Sequence, residues 1–244
     1  MLRKSILAFS MLTLTAGVSA AELNKSEASK KFQTLTPFTV AAVEAAPIGG
    51  FYQIVTDKGV FYLSKDGEHI VSGSIHEARN GLPNLTKQRI QKESRKKLTA
   101  LKDSFLTFEA PNEKHEIVVF YDASCPWCQK LHSEVSQLNA QGVTVHYAGW
   151  PRGGINDPYN KDRYSQAYLD LQSIWCADSP KSAFDRSAEN AHVEPASCDT
   201  KIKEHYALGE QMGVRGTPAV YSMQGEEVAA GYAPAQRIIS NLEK

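Results

Sequence analysis

Cys125-Pro126-Trp127-Cys128 puts two thiols three positions apart. At that spacing the sulfurs can close into a disulfide and open again, so the pair can carry two electrons. The flanking residues decide how reactive such a pair is. The run Ile117-Val118-Val119-Phe120-Tyr121 leads into the motif and reads as a buried strand. Leu131, Val135 and Leu138 follow at i, i+4 and i+7, which is helical spacing. The motif therefore belongs where a strand ends and a helix begins. The first turn of a helix has unpaired N–H groups and partial positive charge. Both stabilise a thiolate and lower the thiol pKa. Pro126 suits the first helical position, because its missing N–H is not needed there. Cys125 is then the expected exposed nucleophile. Cys128, one turn in and shielded, is the expected resolving thiol. A structural zinc half-site or a plain short-loop disulfide would use the same two cysteines.

Other residues near the motif have two readings each. Asp122 either orients the loop or is an ordinary strand-end acid. His132, four residues after Cys128 on the same helical face, is either a proton shuttle or a surface histidine. Trp127 is either an exposed contact for unfolded substrates or packs on a neighbouring loop. Gly153-Gly154 is too short for a phosphate-binding loop, and the sequence has no His-rich metal cluster. No cofactor is expected, since the cysteine pair is itself the redox group.

Composition narrows the function classes. The chain has 244 residues, with 27 basic and 27 acidic side chains and four cysteines. Arg3 and Lys4, the apolar stretch from Ile6 to Val18, and Val18-Ser19-Ala20 read as a secretory signal cleaved after Ala20. The stretch is too short to span a bilayer well. Removing its two cations leaves a net charge near −2, which argues against a general nucleic-acid binder. A double basic start without a lipobox cysteine points to the periplasm. About 220 residues then remain, enough for two domains. An oxidising compartment permits disulfides. If Cys125 pairs with Cys128, then Cys176 pairs with Cys198 or both stay free.

The pattern along the chain gives three units after residues 1–20. Residues 21–83 begin with a polar helix near Asn24–Gln33. Three strand-like runs follow, Phe51–Thr56, Val60–Leu63 and His69–Ile75, separated by Asp57-Lys58-Gly59 and Lys65-Asp66-Gly67. That punctuation predicts an antiparallel meander. About 60 residues are marginal for independent stability, and pairing with a second copy would relieve that. Residues 84–103 read as a linker helix that Thr86 could cap. Between 86 and 103 there are seven basic and two acidic residues. They form either an anionic binding face or a solvated connecting helix. Residues 104–244 contain strands at 106–108, 116–121 and 143–147, a mainly helical stretch over 162–212, a strand pair around Gly225 and a closing helix. The order predicts a thioredoxin-type α/β layer with a helical insertion, within a fold that is α+β overall.

Several of these segments carry a resemblance to the periplasmic thiol–disulfide isomerases of the DsbC/DsbG family, closer to DsbC. They are the strand and motif around Cys125 and Cys128, Ala207-Leu208-Gly209 with Gly213-Val214-Arg215-Gly216-Thr217-Pro218-Ala219-Val220, Ile174-Trp175-Cys176-Ala177 with Pro195-Ala196-Ser197-Cys198-Asp199, and Pro47-Ile48-Gly49-Gly50 with Lys65-Asp66-Gly67-Glu68-His69-Ile70. The likeness covers nearly the whole chain after the signal. It implies a homodimer with an N-terminal dimerisation domain, a linker helix and a thioredoxin-like catalytic domain. It implies that Cys125 attacks and Cys128 resolves, and that Thr217-Pro218 is a cis peptide beside the motif that helps bind substrate. It also implies a structural disulfide between Cys176 and Cys198. The substrates would be misoxidised or unfolded exported proteins, and a DsbD-type membrane electron donor would keep the pair reduced. The dipeptide Pro126-Trp127 matches neither subgroup's usual pair and tunes the thiol pKa and reduction potential. Rival readings are a DsbG-like reductase of oxidised single cysteines, a disulfide-independent chaperone and a zinc-binding structural protein.

Overall fold

The structure is a computed structural model that describes residues 22–244. The expected signal, residues 1–20, lies outside the described residues.

The chain opens with α1 (Lys25–Leu35), held by a reciprocal cap. The Asn24 side chain accepts the Glu27 N–H at 3.0 Å, and the Glu27 carboxylate accepts the Asn24 N–H at 2.7 Å. Strands β1 (Val40–Ala45), β2 (Phe51–Thr56), β3 (Gly59–Ser64) and β4 (Ile70–Ser72) follow as an antiparallel meander in that order. The sequence pattern shows three of these strands and not β1. Val-Ala-Ala-Val-Glu-Ala is poor in β-branched and aromatic residues, and pairing with β2 makes it a strand. Ala28 and Phe32 of α1 pack with Ile54 and Leu63 on one face of this sheet.

Val55, Val60 and Tyr62 cover the other face, where Ile90 of α2 (Leu85–Leu101) meets them. The N-cap of α2 is Asn84, whose side chain accepts the Lys87 N–H at 2.8 Å. Thr86, the expected cap, lies inside the helix and is buried. Its hydroxyl bonds the Tyr62 hydroxyl at 2.5 Å and accepts the Ile75 N–H at 2.8 Å. Tertiary contacts thus turn Thr86 inward and leave the cap to Asn84. Arg89 grips Glu44 of β1 with two bonds of 2.8 and 2.9 Å. At the far end of α2, Leu98 is buried in the core of the second sheet.

The rest of the chain runs β5 (Leu106–Phe108), β6 (His115–Tyr121), α3 (Pro126–His132), α4 (Val135–Ala140), β7 (Val143–Gly149), α5 (Gln166–Trp175), α6 (Pro180–Ala188), α7 (Ile202–Met212), β8 (Ala219–Ser222), β9 (Glu227–Ala229) and α8 (Ala235–Leu242). The sheet order is β5-β7-β6-β8-β9, with β6 and β7 parallel and β8 antiparallel to β6. β6 is therefore central. Ile117, Val119 and Tyr121 point to one core and Val118 and Phe120 to the other. Cover on both faces explains why the sequence there is continuously apolar rather than alternating.

Two helical expectations need correction. The helix after the motif is not continuous but breaks at Ser133-Glu134 into α3 and α4. Leu131, Val135 and Leu138 are nonetheless all buried, as their spacing predicts. The stretch 162–212 is three helices, and residues 189–201 between α6 and α7 are not helical. Tyr164, inside the stretch expected to be helical, lies before α5 and bridges to Asn156. One glycine is required by contact. A Cβ on Gly209 of α7 would stand 2.5 Å from Trp150 Cδ1 and 3.1 Å from Phe120 Cδ1.

Candidate functional site

β6 delivers the motif to the end of the sheet. After Tyr121, the Asp122 carbonyl accepts the Cys125 N–H at 3.1 Å and closes a tight turn. Cys125 is the N-cap residue of α3, and Pro126 occupies its first turn. The Cys128 and Gln129 N–H groups donate to the Cys125 carbonyl at 3.0 and 3.1 Å. Both cysteines are free thiols.

Cys125 is not the exposed residue that the sequence suggests, since it is only 1% exposed. The loop before β8 lies against it, and its Sγ donates to the Thr217 carbonyl at 3.2 Å. Thr217-Pro218 is a cis peptide. The solvent-facing residues of the motif are Ser124, Pro126 and Trp127 instead. The local field still favours a thiolate. The Cys128 side chain is a hydrogen-bond donor to the Cys125 sulfur, and it does most to lower the Cys125 thiol from 9.0 to about 5. Burial opposes this, while the Thr217 side chain, the Cys128 N–H and the Arg152 charge assist. The Thr217 hydroxyl is buried and has no hydrogen-bond partner of good geometry. Burial pushes Cys128 the other way, far above the range of a free thiol. The two thiols are thus strongly unequal: one ionises readily, and the other holds its proton and donates it.

Asp122 orients the loop. It is buried and accepts from the Ser124 N–H at 2.8 Å, the Ser124 hydroxyl at 2.6 Å and the Arg152 N–H at 2.7 Å. The Arg152 guanidinium pairs with it at 3.4 Å. Trp127 is 59% exposed and also stacks on Tyr232, with ring centroids 5.3 Å apart. Trp127 is therefore both exposed and packed on a neighbouring loop.

Comparison with known proteins places these features. Residues 101–244 match the family described as "Thioredoxin-like domain", and residues 19–87 match "Disulfide bond isomerase protein N-terminal domain". The chain is 37% identical over 243 residues to the thiol:disulfide interchange protein DsbC of Dickeya dadantii, covering 99% of this chain and 96% of the relative. The DsbC protein of Salmonella typhimurium is 38% identical over 93% of this chain and 92% of its own. That of Escherichia coli is 35% identical over 100% and 97%. The chain belongs to the DsbC family of thiol:disulfide interchange proteins.

In this DsbC-family chain, Cys176 and Cys198 are joined by a disulfide with sulfurs 2.06 Å apart. It fastens the end of α5 to the non-helical segment before α7. His132 fits neither of its two readings. Its side chain is 11% exposed, with Nε2 on Asp185 at 2.8 Å and Nδ1 on the Tyr147 hydroxyl at 3.0 Å. Phe108 and Phe184 flank it, and burial lowers its pKa. It is a packed, satisfied ring, one turn after the buried Cys128 at the end of α3. Among the described residues, no three His, Cys, Asp or Glu side chains cluster as a metal site.

Arg152, Tyr232 and Glu134 escape the sequence reading. Arg152 sits in a Gly-rich turn that signals only a loop. Its partner Asp122 is 30 positions away. Tyr232 and Glu134 are 98 positions apart. No local pattern marks either pair.

Proposed function

We propose that this chain catalyses thiol–disulfide exchange on disulfide-containing exported proteins, with Cys125 attacking and Cys128 resolving. The observation that carries it is the free dithiol at the start of α3, with Cys125 as N-cap residue against the Thr217-Pro218 cis peptide and Cys128 buried one turn in. The Cys125 thiolate attacks one sulfur of a wrong substrate disulfide. A mixed disulfide forms, and the other substrate sulfur leaves as a thiolate. A second substrate thiolate then attacks the substrate sulfur of the mixed disulfide and expels the Cys125 thiolate. That route shuffles disulfides with no net oxidation. Alternatively Cys128 loses its proton and attacks the Cys125 sulfur, so the substrate leaves as a thiolate and is protonated. Two electrons pass to the substrate, and the Cys125–Cys128 disulfide remains. A membrane electron donor of the DsbD type then restores the dithiol.

Trp127, Thr217 and Pro218 form the surface on which the substrate segment lies. The exposed face of Trp127 and the loop resting on Cys125 support that role. A substrate disulfide reaches the sulfur by taking the place of the Thr217 carbonyl contact. The Cys176–Cys198 disulfide is structural.

The units are residues 21–83 for dimerisation, the 84–103 helix as linker and 104–244 for catalysis. Two copies pair through the first sheet. β4 has a partner on one side only, and Ile70 and Val71 on it are exposed, an edge that invites strand pairing. Residues 1–20 direct export to the periplasm, where the Cys176–Cys198 bond is stable.

The test is refolding of a scrambled multi-disulfide protein in a glutathione buffer. Cys125→Ser is expected to abolish the acceleration. Cys128→Ala is expected to keep part of it, because shuffling needs one thiol. Full activity without Cys125 overturns the proposal. So does a wild-type chain that reduces a sulfenylated cysteine but leaves the scrambled protein unchanged.

A further inference from the structure

Trp127 does not hang free from the motif. Its ring lies at 27° to that of Tyr232, at stacking distance. Tyr232 sits in the loop between β9 and α8. Its hydroxyl donates to Glu134 Oε1 at 2.6 Å. Glu134 occupies the break between α3 and α4 and is 8% exposed. Its second oxygen accepts the Ala235 N–H at 2.8 Å, in the first turn of α8. That is a carboxylate on the electropositive end of a helix. Lys130 Nζ stands 3.3 Å from Oε1. Burial opposes ionisation of Glu134, but the Tyr232, Ala235 and Lys130 contacts outweigh it and hold the carboxyl below its ordinary range. Glu134 is seven residues after Trp127, in the break beyond the end of α3. The break after α3 thus allows one buried carboxylate to anchor both α8 and the tyrosine under the tryptophan.

The two faces of the indole are unlike. One is covered by Tyr232, and the residue as a whole remains more than half exposed next to the reactive sulfur. A free tryptophan side chain has several rotamers and would lose that freedom on meeting a substrate. Backed by Tyr232, the ring already stands in place.

We infer that Glu134 and Tyr232 are positioning residues that hold Trp127 as a rigid platform, selecting substrates with an aromatic or apolar side chain beside the cysteine under attack. This rests on the exchange activity proposed above and adds a substrate preference to it.

The experiment compares two short disulfide-bonded peptides, with Phe or Gly next to the cysteine, in single-turnover and steady-state exchange. The full chain is expected to give a higher kcat/KM for the Phe peptide, through KM. The Phe-to-Gly ratio is expected to fall about three- to tenfold in Tyr232→Ala, the range of an aromatic pair. Trp127→Ala is expected to match it. The double variant should lose no more than either single one, since Tyr232 acts through Trp127. Tyr232→Phe keeps the ring and removes only the bond to Glu134, so it folds with the stack intact. Its ratio should fall part of the way. A merely structural role would weaken exchange with both peptides equally and leave the ratio unchanged, and that result overturns the inference. Additive losses in the double variant also overturn it. A wild-type chain that exchanges neither peptide sinks the exchange activity itself, whereas one that exchanges both with equal KM sinks only the platform.

Discussion

Removing the Cys128 thiol should raise the pKa of Cys125. The Cys125 thiol is displaced from 9.0 to about 5, roughly 5 kcal/mol in favour of the thiolate at 1.36 kcal/mol per unit. The largest contribution is the hydrogen bond from Cys128. A hydrogen bond to a charged group is worth about 1.5–3 kcal/mol, or about one to two pKa units. Cys128→Ala should therefore move Cys125 from about 5 to about 6–7. Cys128→Ser keeps a donor at the site and should recover part of the shift. The assay is the rate of alkylation of Cys125 as a function of pH, since only the thiolate reacts. The disulfide between Cys176 and Cys198 keeps those sulfurs out of the measurement. A midpoint still near 5 in Cys128→Ala would refute the assignment of Cys128 as donor. A wild-type midpoint near 9 would refute the thiolate argument altogether. The sign for stability follows. A lowered thiol pKa stabilises the folded, reduced chain fully above pH 9, and that contribution drains away as the pH falls through about 5.

Three further outcomes are expected. His205 is buried, its Nδ1 accepts the Gly149 N–H at 3.3 Å, and burial lowers its pKa from 6.5 to about 3. The unfolded chain therefore takes up a proton that the folded one refuses. Denaturant titrations should show wild type losing stability relative to His205→Gln as the pH falls from 6.5 towards 3, and parallel curves would contradict this. Opening the Cys176–Cys198 bond, with its sequence separation of 22, should cost about 3 kcal/mol in chemical unfolding; a loss below about 1 kcal/mol would show that the unfolded chain is already constrained there. Gly209→Ala would drive a methyl group to 2.5 Å from Trp150. It should lower stability by about 1–3 kcal/mol with a shift in tryptophan fluorescence, and an unchanged midpoint would mean that α7 yields freely.

Residues close in sequence wrote much of this protein openly. The apolar run before Cys125, Pro126 after it and the spacing of Leu131, Val135 and Leu138 are enough to put a redox pair at a strand–helix junction, because strand burial and helix starts are encoded by neighbours. Turn residues around Asp57-Lys58-Gly59 and Lys65-Asp66-Gly67 likewise mark the meander. The folded chain decided what lies opposite each group. Thr217 meets Cys125 across 92 positions, Arg152 meets Asp122 across 30 and Tyr232 meets Glu134 across 98. Those contacts bury the attacking sulfur and orient its loop. They also anchor Glu134 at the break behind the motif and back the exposed indole. Sulfur chemistry is local to four residues, whereas access to that sulfur depends on whatever surface packs against it, and no pattern of nearby side chains records which surface that is.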